Sequence, residues 1–122
     1  MNSNVTWEIQ MNQHAFTVFV HLKAEISWLA LSRPERNELT QAKIFPILQE
    51  HPNVHHTHFD AEAFCGFVSD IEMFSCDDPR QFYFFFEKFR DSELISKGYF
   101  TIVNIFPAYA DGYVEYENRL KA

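Results

Sequence analysis

Along residues 15–23, AFTVFVHLK, apolar side chains recur at every second position. Phe16, Val18, Val20 and Leu22 share one face of a predicted β-strand, and Thr17, Phe19, His21 and Lys23 the other. A shorter alternation, VTWEIQM at 5–11, predicts an extra N-terminal strand. Residues 54–64, VHHTHFDAEAF, predict a strand in which His56, His58, Asp60 and Glu62 project together, away from His55, Thr57, Phe59 and Ala61. Cys65-Gly66 then turns the chain into a hairpin partner at 68–76, VSDIEMFSC, where Ile71 and Met73 oppose Asp70, Glu72 and Phe74. YFTIVNIF at 99–106 is the fourth main strand.

Between these strands the period changes to that of a helix. Ser32 followed by Glu35 is a capping box for a helix over 33–49, with Leu39, Ala42, Phe45 and Leu48 at helical spacing and a kink expected at Pro46. Asp78-Pro79 opens a second helix. The run QFYFFFEKF is β-prone in composition, yet Phe82, Phe85, Phe86 and Phe89 recur at i, i+3, i+4 and i+7. Phe84 falls on the opposite side and is a candidate contact for a partner. Tyr109, Tyr113, Tyr116 and Leu120 suit a short C-terminal helix capped by Asp111 and lying over something apolar. The order β-α-β-β-α-β predicts a single ferredoxin-like α+β domain over 1–122, an antiparallel sheet with its helices on one face. The other face then needs a cover. A second copy of the chain supplies one, making a homodimeric barrel with a cavity in each subunit.

Composition narrows the partners. The chain has 122 residues, 47% of them hydrophobic, and fourteen phenylalanines, which suits one packed domain. A net charge of −7 argues against nucleic acid or an anionic membrane surface as the main partner. The first residues, MNSNVTWEIQMN, lack the basic start and apolar core of a signal peptide, and no apolar run suits a membrane span. The hairpin places Cys65 and Cys76 too far apart to bridge, so two reduced thiols and a cytoplasmic location are expected.

The segments SWLALSRPERNEL, HFDAEAF and YFTIVNIFPAYADGYVEYE resemble the darcynin family of small bacterial proteins over about residues 16–118. The resemblance implies a small intracellular bacterial protein related to the dimeric α+β barrels. The family has no established activity and lends no catalytic residues. Such barrels serve many chemistries, so the function has to be read from a site.

If the helices cover Phe16, Val18, Val20 and Leu22, the open face collects Phe19 and His21 from the first strand. It would also take His56, His58, Asp60 and Glu62 from the second, Asp70, Glu72 and Phe74 from the third, and Asn104 from the fourth. Such a face must be wet, internally paired or occupied. Three readings are open: a solvated ion-paired face, a small-molecule pocket, and a metal site built on His-x-His with a carboxylate. The function expected is a small-molecule enzyme acting by proton transfer or cofactor-light oxygenation, with Asp60, Glu62 and His58 as catalytic candidates. His21, His56, Phe19, Asp70, Glu72, Phe74 and Asn104 would line its pocket. The alternative is a non-catalytic dimeric module for ligand binding or interaction. No cofactor and no metal is assigned.

Overall fold

A computed structural model describes residues 15–121, so the strand expected at 5–11 lies outside the described residues. Strands β1 (Phe16–Ala24), β2 (His55–Asp60), β3 (Asp70–Cys76) and β4 (Phe100–Tyr109) form an antiparallel sheet in the order β2-β3-β1-β4. The first crossover carries α1 (Ile26–Leu29), α2 (Arg33–Leu39), a π-helical turn (Thr40–Ile44) and α3 (Phe45–Glu50). The second carries α4 (Pro79–Asp91) and α5 (Glu93–Ser96), and α6 (Gly112–Leu120) follows β4. The βαββαβ order and the ferredoxin-like α+β architecture are those expected.

Local chemistry sets the helix starts. Ser32 Oγ accepts from the Glu35 N–H at 3.2 Å, and the Ser32 N–H donates to Glu35 Oε1 at 2.8 Å. Asp78 and Gln81 make the same reciprocal pair at α4. Each such cap contributes about 1 kcal/mol. The kink at Pro46 takes the form of the π-helical turn, closed by the Phe45 N–H on the Thr40 carbonyl five residues back. Proline has no N–H to give, and in a regular helix its ring collides with the carbonyl four residues earlier; a widened turn just before it relieves both.

The core lies between the helices and one sheet face. Val18 and Val20 of β1, Phe74 and Cys76 of β3, and Phe100 of β4 pack against Phe85, Phe86 and Phe89 of α4. The helical phase of the phenylalanine run is as expected: Phe85 is 1% exposed and Phe84 is 59% exposed. Cys65 and Cys76 are free thiols.

The register reverses one expectation. Val18 pairs with Phe74 and Phe74 with His56; Val20 with Glu72 and Glu72 with His58; Leu22 with Asp70 and Asp70 with Asp60. Residues directly opposite in an antiparallel pair share a face. His56, His58, Asp60, Asp70, Glu72 and Phe74 therefore lie on the helix-covered face with Val18, Val20 and Leu22. The open face carries Phe19 and His21, with Met73 and Ile71 opposite them on β3, Thr57 and Phe59 on β2, and Phe106 and Asn104 on β4. The physical reason is a change of character along β3. Phe74 and Cys76 are buried in the core, while Asp70 and Glu72, earlier on the same face, line a cavity. The apolar pair Ile71 and Met73 marks the open face instead.

Three smaller differences concern the ends of elements. The second strand stops at Asp60, and Glu62 lies in the turn beyond it, where its N–H bonds the Asp60 carboxylate at 3.3 Å. Asp111 gives no side-chain cap to α6; its backbone is left-handed, with φ 46°. Tyr109, Tyr113, Tyr116 and Leu120 are exposed rather than lying over an apolar surface.

Candidate functional site

Between the helical layer and the sheet lies a cavity of about 390 Å³. Most of its wall is apolar: Leu22, Phe74 and Phe100 from the sheet, with Trp28, Ile44, Leu48, Phe85, Phe89 and Leu94 from the helices. The π-helical turn serves this wall directly, because Thr40, Ile44 and the adjoining Phe45 all line it. Trp28 is fixed by Phe100, ring centroids 4.8 Å apart, and its carbonyl accepts from Arg36 Nε at 3.2 Å.

The titratable groups of the lining all come from the two neighbouring strands β2 and β3. Glu72, only 8% exposed, shares its carboxylate between two imidazoles. Oε1 meets His56 Nε2 at 2.6 Å and Oε2 meets His58 Nδ1 at 2.7 Å. His58 Nε2 stands 3.5 Å from Asp70 Oδ1. Asp70 Oδ2 accepts from Ser69 Oγ at 2.6 Å, and that hydroxyl accepts in turn from the Ala24 N–H at 2.7 Å. His56 stacks on Phe74 with centroids 5.0 Å apart. A carboxylate this dry is expensive without partners, and the two rings supply them.

The proton affinities follow from this crowding. Burial pulls the His58 pKa down, but the hydrogen bond and charge of Glu72, with the charges of Asp70 and Asp60, outweigh it and the net shift is upward. Burial pushes the Asp70 carboxyl above its ordinary range; the Ser69 bond and His58 oppose this, while Glu72 and Asp60 add to it. His58 and Asp70 thus both hold protons more tightly than usual. Chemically, the corner can orient a polar group or hold a cation beside an apolar chamber.

Of the residues singled out from sequence, His56, His58, Asp70, Glu72 and Phe74 come together here. Phe19, His21 and Asn104 sit on the opposite sheet face, where His21 meets Phe106 edge-on at 5.1 Å. Asp60 is on the pocket's face but outside its lining, and Glu62 has left the strand. The helical wall has no signal of its own in the sequence. Its residues carry only the apolar periodicity of any packed helix, which does not separate core from pocket.

A family model described as "Darcynin, domain of unknown function" matches residues 1–120. Darcynin 1 of Acinetobacter baumannii is 41% identical over 90 residues, 74% of this chain and 100% of that one. The darcynin of Chromobacterium violaceum is 40% identical over 75 residues, 62% of this chain and 95% of its own. Among solved structures, a haem-binding protein from Thermus thermophilus superposes with TM-score 0.74 at 14% identity, over 94% of this chain and 50% of that one. The chlorite dismutase of Candidatus Nitrospira defluvii in complex with imidazole gives TM-score 0.72 at 13% identity, over 100% and 52%. A dimeric chlorite dismutase from Nitrobacter winogradskyi gives 0.66 at 17%, over 81% and 60%. The chain spans about half the length of the first two, and at these identities the likeness is one of fold. Among the described residues no helix is long and apolar enough to cross a membrane.

The corner stores a stability cost that a substitution can release. A carboxyl whose folded pKa is raised stabilises the fold at low pH; as pH rises through the ordinary aspartate range the unfolded chain ionises first and stability falls. Asp70→Asn has no such slope. In chelator-containing buffer it is expected to melt a few degrees above the wild type at neutral pH, the gap closing below the ordinary aspartate range. Calorimetric melts across pH check this, and a variant that melts lower at neutral pH contradicts it.

Proposed function

The chain belongs to the darcynin family, whose function is unknown, and we propose that it binds a small, mostly apolar molecule in the pocket between helices and sheet, holding the molecule's polar head against His58 and Asp70. The observation that carries this reading is the division of the wall: an aromatic and aliphatic chamber with all its charge in one corner. Ligand sites combine apolar lining with a few convergent polar groups in this way. The volume, about 390 Å³, lies within the usual range for such sites. Glu72 and His56 stand behind His58 as its support, and Asp60, outside the lining, adds its charge to the corner.

The haem-binding neighbour raises haem as an occupant, and the lining does not fit it. The lining brings two carboxylates and no lysine or arginine toward the carboxylates haem itself carries.

Two copies of the chain associate through the open sheet face. There Thr57, Met73, Phe19 and Phe106 form one row across the sheet, and Phe59, Ile71, His21 and Asn104 the next. Phe59 and Phe106 are 47% and 48% exposed. Neither row contains a lysine, arginine, aspartate or glutamate, so a second copy of this chain meets it without like-charge conflict.

Ligand-observed NMR with small aromatic amides, alcohols and amines, in chelator, tests the pocket. Binders are expected, and Leu48→Trp, which fills the chamber, should weaken them about tenfold or more. Equal binding to both proteins contradicts the proposal. Light scattering tests the second copy: a dimer mass at micromolar concentration is expected, falling to a monomer in Phe19→Asp. A wild-type monomer contradicts it.

A further inference from the structure

The geometry points to a binding site for one divalent transition-metal ion at the polar corner, with His58, Asp70 and Glu72 as ligands and the remaining coordination positions facing the pocket. One donor atom from each of the three lies within 4.8 Å of the others. Sheet register brings them together, since His58 pairs directly with Glu72 and Asp70 precedes Glu72 by two on the same face.

How the two carboxylates are held is the more telling feature. Each is fixed through one oxygen by a group outside the trio and turns the other toward His58, Glu72 to Nδ1 and Asp70 to Nε2, so a single ion takes one ring nitrogen and draws in the carboxylate that faces the other. Glu72 Oε1 is held by His56, itself stacked on Phe74, and Oε2 faces His58. Asp70 Oδ2 is held by Ser69, which is tied to the backbone of β1, and Oδ1 faces His58. Outer partners that fix the orientation of ligands are what a metal site requires. One imidazole with two carboxylates suits zinc, iron(II) or manganese, whereas calcium and magnesium favour all-oxygen sets. A dication also relieves the repulsion of two carboxylates on one face. Three protein ligands leave positions open, as in sites that act on a bound molecule.

What the ion would do, polarising the head of a pocket ligand, rests on the function proposed above; its binding does not. Zinc is therefore titrated calorimetrically into the chelator-treated 122-residue chain with magnesium present and no organic ligand. One equivalent per chain is expected. His58→Ala and Asp70→Asn should each weaken it by roughly 100-fold or more, and His56→Phe by roughly 10–100-fold. The His58 side chain is 47% exposed and Asp70→Asn relieves a buried charge, so both variants should fold, which circular dichroism verifies. Absence of saturable binding overturns the site, as does one-equivalent binding that survives in either His58→Ala or Asp70→Asn. Neither result touches the pocket's binding of organic molecules in chelator, which stands or falls on the Leu48→Trp comparison.

Discussion

The carboxylate of Glu72, shared between His56 and His58 on the core side of the sheet, is the interaction on which the rest depends. It sits opposite Val20, a residue with no exposed surface. An ionised carboxylate there without partners costs several kcal/mol. Its partners come from β2, the edge strand, so the bonds that satisfy Glu72 also pin that edge to one register. A slip of one residue would turn both histidines to the open face and leave the carboxylate unmatched. The same corner resists closure, because a collapsed apolar core has no place for Asp70 and Glu72 together.

The helical layer supplies the room. Pro46 forbids a regular helix through the first crossover, and the π-helical turn before it sets Thr40, Ile44 and Phe45 along the chamber. On the other side, α4 presents Phe85 and Phe89 to the pocket while Phe86 goes to the core. Backbone constraint on one crossover and side-chain phase on the other thus produce one cavity whose polar end is set by the sheet. A binder of small molecules needs that division.

Much of the fold is legible in the sequence because its signals are local. Ser32 with Glu35, Asp78 with Pro79, and the four-phenylalanine stripe each depend on residues within two turns. Which face of β2 and β3 meets the helices is not local. Period-two alternation says which side chains travel together, as His56, His58 and Asp60 do, but not where they point when one face is polar at one end and apolar at the other. Ile71 and Met73 resemble core positions, yet Phe74 and Cys76 are the buried ones. Only the pairing of Phe74 with Val18 decides between them. Hence Asp70, Glu72, His56 and His58 are recognisable as a group from sequence, whereas grouping Phe19, His21 and Asn104 with them is not sustained. Glu62 is lost for a different reason: the Ala61 carbonyl accepts from the Phe64 and Cys65 N–H groups, which turns the chain out of the strand.

The most direct test is nitrogen-15 NMR of the imidazole rings in wild type and Glu72→Gln, in chelator. With Glu72 ionised, His56 is predicted to carry a proton on Nε2 and His58 one on Nδ1, and both rings should shift on substitution while His21 does not. Unchanged His56 and His58 rings, or a His21 ring that shifts with them, would contradict the placement of this corner and the account built on it.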